Sequence, residues 1–244
     1  MGTLQGIKAL LASFTAFPVK EESTHVEAAN YLPLVPLIGS VTGLLVATVV
    51  GVFRLIFPAV IAGILGLGFL VYVNGLRYTS GLIGFGKGST HKGFLEEKNT
   101  MSNGNAGGFV LTFVVLLATA LSIANLDPLL YFQDIIVAET SAKFAMVALA
   151  WMGRSVAGES VSFVEKMRGS RRGVRIVSSL TISLAIGVLV LSSAGLFVVL
   201  IGFLTAIMLT WLAGRSFGGV TQAVFWAAND ISRLTCLLAI MAIS

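Results

Sequence analysis

The segment Gly81-Leu-Ile-Gly-Phe-Gly-Lys-Gly-Ser89 combines four glycines with a lysine. Glycines of this kind let a backbone approach a phosphate closely, and a lysine beside them can orient the phosphate as a point charge. The phosphate-loop pattern needs Ser or Thr directly after Gly-Lys, but Gly88 stands there and Ser89 comes one place late. The segment also follows a long apolar run, whereas a phosphate loop follows a buried strand of a soluble sheet. A nucleoside triphosphatase is therefore disfavoured, and Lys87 remains as a phosphate-orienting ammonium. Carboxylates able to hold magnesium, a hard cation that takes oxygen ligands, are sparse. Glu96 and Glu97 are adjacent and do not share a helix face. Glu159, Glu165 and Asp230 form no cluster on their own. His25 and His91 sit in polar connections with no second His or Cys nearby and read as solvated or interfacial side chains. Cys236, the single cysteine, lies in an apolar run and reads as a small buried hydrophobe.

The elements that must position these residues belong to a membrane. Of 244 residues, 56% are hydrophobic and 11% charged, and mean hydropathy is +0.94. A soluble domain carries about 25% charged residues, so this chain could not coat its own surface in water. Long uninterrupted apolar runs point to helices rather than the alternating segments of a β-barrel. The fold class is an all-α, polytopic membrane helix bundle forming a single domain over 1–244. Apolar helices are predicted over 34–53, 55–73, 107–124, 141–152, 176–191, 196–212 and 234–243. An N-terminal helix over 4–17, with Leu4, Ile7, Leu11 and Phe14 at helical spacing, is too short to span easily. It is predicted to lie in the interface or on the bundle, and it ends at Pro18. No signal peptide is read at the N-terminus. The pair Gly39 and Gly43, and Gly63 and Gly66, read as close-packing positions.

Charge orients the bundle. Polar loops are predicted over 74–106, 153–175 and 213–233. The second holds Arg154, Lys166, Arg168, Arg171, Arg172 and Arg175, and the first holds Arg77, Lys87, Lys92 and Lys98. Arg215 and Arg233 belong to the third. The connector Leu126 to Ala138 carries Asp127 and Asp134 and no base. Lys and Arg gather on the cytoplasmic side of short loops, so the chain is expected as a multi-pass plasma-membrane protein with its polar loops in the cytoplasm. The net charge of +5 then attracts anionic headgroups or phosphates. No aromatic-interleaved basic patch accompanies it, so nucleic acid is not an expected partner.

Several segments together resemble a known family. Ser13-Phe-Thr-Ala-Phe-Pro-Val19 looks like its Phe-x-x-x-x-Pro-(Val/Ile) segment, and Tyr31-Leu-Pro-Leu-Val-Pro-Leu-Ile-Gly39 like the Phe-Pro-Leu-(Val/Ile)-Gly that opens its first span. Glu139-Thr-Ser-Ala-Lys-Phe144 and Gly158-Glu-Ser-Val-Ser-Phe-Val-Glu-Lys166 resemble archaeal members. Phe217-Gly-Gly-Val-Thr221 with Ala227-Ala-Asn-Asp-Ile-Ser-Arg233 is similar to the Gly-Gly-x-Thr-Gly-Asp and Asn-Glu-x-x-Arg region. The family is that of cobalamin-5′-phosphate synthase, or adenosylcobinamide-GDP ribazoletransferase. The resemblance implies a reaction in which α-ribazole or its phosphate displaces GMP from adenosylcobinamide-GDP in the last steps of cobalamin biosynthesis, with Mg²⁺ on the pyrophosphate.

The family's chemical signature, His-x-Asp-Gly-x-x-Asp-x-x-Asp, is altered here. Tyr78 stands at the histidine, and Ser80, Gly84 and Lys87 stand at the three aspartates; Gly81, Leu82 and Phe85 keep the frame. Asn103 and Asn105 replace polar residues of the following motif, Gln222 replaces a glycine, and Ala223 replaces a later acid. Spacing of i, i+4 and i+7 puts Ser80, Gly84 and Lys87 on one helix face. A hydroxyl, a hydrogen and an ammonium make no clamp, so Mg²⁺, expected for the family, is predicted to bind weakly or not at all, and no residue is assigned as a metal ligand or as catalytic. Lys87, Arg154, Thr221, Asn229, Asp230 and Arg233 are the candidate substrate-binding residues that the resemblance offers. An alternative is a catalytically degenerate paralogue, a binding protein or a membrane partner subunit. A small-molecule transporter is a third reading, disfavoured because Glu139 and Lys143 read as flanking a span end and mid-span positions as apolar.

Overall fold

The computed structural model describes residues 3–16, 28–90, 103–156, 161–169 and 171–243. His25, His91, Glu96, Glu97, Asn105's side chain and Glu159 lie outside what it describes. Among the described residues the elements are helices, and no strand forms. Helix α1 covers Thr3–Phe14. A 3₁₀ turn over Ala29–Leu34 leads into α2, Val35–Ile56. Helices α3, Ala59–Asn74, and α4, Arg77–Thr90, follow. Then come α5, Asn103–Asn125, α6, Tyr131–Met152, and the short α7, Ser162–Met167. Helices α8, Arg172–Phe217, and α9, Gln222–Ile243, complete the chain. Five helices are long and apolar enough to cross a membrane, or six if α3 and α4 count as one bent span. The expected membrane helix bundle is what forms.

Two bends shape it. Between α3 and α4 the chain turns by 97° at Gly75, whose φ of 82° is a conformation that side-chain-bearing residues rarely adopt. In α8 the turn falls at Ser192, with φ 53° and ψ −133°, which divides the helix into two antiparallel arms. The arms meet where Gly187 and Gly195 touch; a Cβ on Gly187 would lie 3.0 Å from the Gly195 carbonyl oxygen. This is the tight pair of spans predicted over 176–191 and 196–212.

Two predicted boundaries shift, for one physical reason. The span predicted over 141–152 begins ten residues earlier, at Tyr131. The span predicted over 234–243 begins at Gln222, so most of the loop predicted over 213–233 is helical. Charged residues had marked the ends of both, because an isolated charge at bilayer depth is costly. Here Glu139, Lys143, Asp230 and Arg233 are all buried inside helices. Asp134, placed in a connector, lies in the first turn of α6, where the helix dipole favours an acid. The loop predicted over 74–106 opens as helix α4, as its i, i+4, i+7 spacing implies.

The basic segments share one end of the bundle. The Arg172 guanidinium donates to the Trp151 carbonyl at 2.9 Å, the Val220 amide donates to the Arg154 carbonyl at 2.6 Å, and Arg77 donates to the Ser13 carbonyl. At the opposite end the guanidinium of Arg54 donates to the carbonyls of Ile123, Ala124 and Leu126 at 2.8, 3.1 and 3.2 Å. It thereby caps the unsatisfied C-terminal turn of α5 and lies 4.6 Å from the ring centroid of Tyr131. Helix α1 packs on the bundle: Phe14 is fully buried against Phe163, Phe225 and Trp226.

Candidate functional site

Helix α4 crosses the first half of α9 at the basic end. Small residues set the separation. A Cβ on Gly81 would lie 3.0 Å from the Ala223 carbonyl oxygen and from the Ala227 amide nitrogen, and a Cβ on Gly84 would lie 2.9 Å from Ala223 Cβ. Gly88 meets the ring of Phe217 in the same way. Gly84 and Ala223, distant in sequence, are therefore neighbours in a tightly packed seam. Ser80 is exposed and its hydroxyl donates to the Arg77 carbonyl at 2.9 Å. Lys87 is half-buried on the same helix. Asn103 opens α5.

Tyr78, one turn before Gly81, is 2% exposed. Its hydroxyl donates to the Phe14 carbonyl at 2.9 Å, and its ring stands edge-on to Trp226, 5.1 Å between centroids. A phenol anchored this way fastens α4 to α1 and does not face an aqueous site.

Behind Tyr78 lies a polar network that sequence reasoning did not assemble. The Lys143 ammonium sits 4.1 Å from the centre of the Tyr78 ring. It donates to Asn229 Oδ1 at 3.0 Å and to Asn74 Oδ1 at 3.4 Å. One turn away on α6, Glu139 accepts from the Arg233 guanidinium through both carboxylate oxygens, Arg233 Nη2 to Glu139 Oε2 being 3.4 Å. Arg233 Nη1 donates to Asp230 Oδ1 at 2.8 Å, which also accepts from Asn229 Nδ2 at 3.3 Å. Two carboxylates thus balance two cations, and every charged member is at most 3% exposed. Arg233 lies roughly 16 Å along α9 from Gln222 at 1.5 Å per residue, at mid-span depth. The detectable signal was two charged pairs at helical spacing, Glu139 with Lys143 and Asp230 with Arg233, inside apolar runs. A charge at that depth needs a partner: Arg233 serves both Glu139 and Asp230, and Lys143 is held by Asn74, Asn229 and the Tyr78 ring. The premise that mid-span positions are apolar is corrected accordingly.

The candidate substrate-binding residues divide into two groups. Lys87, Arg154 and Thr221 lie at the basic end; Arg154 is exposed, while the Thr221 hydroxyl accepts the Val224 amide at 3.2 Å and caps α9. Asn229, Asp230 and Arg233 are sunk in the network and hold other side chains.

A profile of the cobalamin-5-phosphate synthase family matches residues 6–241.

The chain belongs to that family.

Among curated relatives, the adenosylcobinamide-GDP ribazoletransferase of Methanocella arvoryzae is 29% identical over 96% of this chain and 94% of its own length. Those of Methanosarcina barkeri and Methanococcoides burtonii are 26% and 28% identical, over 83% and 80% of this chain and 79% and 78% of their own. No solved structure matches the chain. The resemblance read from the sequence is therefore correct. The sequence resemblance sets Ser80, Gly84, Lys87 and, from α9, Ala223 where acids of a metal clamp are expected. The structure brings Gly84 and Ala223 together. The donors present do not fit Mg²⁺. One is a hydroxyl already donating to a carbonyl, one has no side chain, one is an ammonium and one is a methyl. Among the described residues no three His, Cys, Asp or Glu side chains converge as a metal site. Glu139 and Asp230, buried acids of the network, are occupied by Arg233.

Proposed function

We propose that this family member acts on the substrates of the family reaction, adenosylcobinamide-GDP and α-ribazole or its phosphate, in the last steps of cobalamin biosynthesis. The match across 6–241, in order and nearly end to end, carries this reading. In that reaction the ribazole displaces GMP, so one bond to phosphorus forms as the bond to GMP breaks. Lys87 and Arg154 at the basic end are the cations that would hold a pyrophosphate of this kind. The bundle would sit in the plasma membrane with that end in the cytoplasm; the one-sided Lys and Arg distribution supports this orientation.

A second reading is favoured by one observation, the packing of Gly84 on Ala223 where the family carries carboxylates. In that reading the chain is a degenerate paralogue that binds the corrinoid, or serves a membrane partner subunit, without transferring ribazole itself. The two readings separate in one assay. Purified chain in bilayers is given adenosylcobinamide-GDP and α-ribazole, and GMP release is followed with Mg²⁺ and with a chelator. Mg²⁺-dependent release supports transfer. Corrinoid binding without release supports the paralogue, and the absence of both removes each reading.

A further inference from the structure

The corner between α7 and the start of α8 carries a concentration of charge that the buried network does not use. Between residues 153 and 175 the sequence holds six bases against two acids, Glu159 and Glu165. Arg154, Arg168, Arg171 and Arg172 are exposed. Arg175 donates to the Lys166 carbonyl and so ties the start of α8 to α7. Helix α8 has no acid in its first turn, so the partial positive charge of its N-terminus adds to the arginines instead of being offset. Like charges repel across water within a Debye length of about 10 Å. A surface of this kind calls for a dense anionic partner.

Two tryptophans fix the level of this surface. The Arg172 guanidinium lies 5.0 Å from the Trp151 ring centroid, and that of Arg215 lies 5.5 Å from Trp211. Trp211 is 60% exposed on an otherwise apolar helix. Exposed indole beside apolar span and arginine marks the headgroup level of a bilayer. The two arms of α8 return Arg215 to the end where Arg172 starts, so both pairs stand in one belt. Guanidinium forks match phosphate oxygens, and at this level the phosphates on offer are those of lipid headgroups.

We propose that the arginine corner formed by Arg168, Arg171 and Arg172, with Trp151 beneath Arg172, is a binding surface for anionic phospholipid headgroups. Its occupant is the annular lipid of the basic-end leaflet. The proposal uses none of the residues of the α4–α9 seam and does not rest on what the chain does there.

The test uses the full chain reconstituted in nanodiscs of phosphatidylcholine and phosphatidylglycerol, with one or the other lipid brominated. Bromine quenches tryptophans in contact with the labelled lipid; the exposed Trp211 is the main reporter and the half-buried Trp151 the lesser one, while Trp226 is buried. Each base near an anionic surface strengthens binding by about fivefold. Brominated phosphatidylglycerol is expected to quench more strongly than brominated phosphatidylcholine at equal mole fraction, with a preference of at least about fivefold at low salt that shrinks as salt rises. The combined Arg168→Gln, Arg171→Gln and Arg172→Gln variant should lose most of that preference, and the three-lysine variant should keep most of it. All three positions are exposed, and an unchanged unfolding midpoint confirms that the variant remains folded. Equal quenching by the two lipids, or a preference unchanged in the glutamine variant, would overturn the proposal. Inorganic phosphate and chloride at matched ionic strength should reduce the preference equally. Selective displacement by millimolar phosphate would instead reveal a small-phosphate site and would also overturn it.

Discussion

Arg233→Met is expected to destabilise the bundle by about 3–5 kcal/mol, the cost of leaving buried charges without their partner. Glu139 takes its hydrogen bonds from this guanidinium, Asp230 takes one from it and one from Asn229, and both acids are buried. Removing all four charges together, with Glu139→Gln, Asp230→Asn, Lys143→Met and Arg233→Met, should recover most of the loss. Isosteric neutral replacement of a buried ion pair is often close to neutral. SDS-induced unfolding in mixed micelles measures both variants. A single variant as stable as the parent would mean that the network is hydrated and open, and would reopen α6 and α9 as a passage for polar solutes.

The second large effect concerns the α4–α9 seam. Gly84→Asp should cost about 1–3 kcal/mol from overpacking alone, because the new Cβ would stand 2.9 Å from the Ala223 methyl. The carboxylate would also be half-buried beside apolar surface, which adds a desolvation cost. Restoring an aspartate at this position therefore weakens the fold, and a gain in divalent-metal binding is not expected while Ser80 and Lys87 remain. Unfolding in micelles reads the first effect, and Mn²⁺ binding followed by electron paramagnetic resonance reads the second. Tight Mn²⁺ binding with unchanged stability would show that the seam opens to accept a metal clamp.

How far the sequence disclosed this molecule depends on what each residue's signal was. Apolar runs over 34–53, 107–124 and 196–212 located helices because lipid demands continuous apolar surface there. The frame Gly81, Leu82 and Phe85 disclosed α4, since helical spacing survives the loss of the polar residues. Helices α6 and α9 were read as truncated because Glu139, Lys143, Asp230 and Arg233 look like boundaries one at a time. Their meaning is pairwise, between segments some 90 residues apart, and a single sequence shows no pairing. Tyr78 was legible as a departure from the family's histidine, but its role as an anchor for Phe14 was not. That role depends on where α1 docks. Ser192 carried no turn signal of the Gly or Pro kind, so the fold of α8 was legible only as an interval between two apolar runs.

The residues at the seam and the family match together make corrinoid binding the most direct test. Adenosylcobinamide-GDP is coloured, so its retention by purified chain in nanodiscs can be read by absorbance after equilibrium dialysis, with Mg²⁺ and with EDTA. Saturable binding that persists in EDTA is the expected result, because Ser80, Gly84, Lys87 and Ala223 offer a divalent ion no carboxylate. No binding in either condition would contradict the assignment of the family's substrates to this chain, and binding that appears only with Mg²⁺ would contradict the absence of a metal clamp.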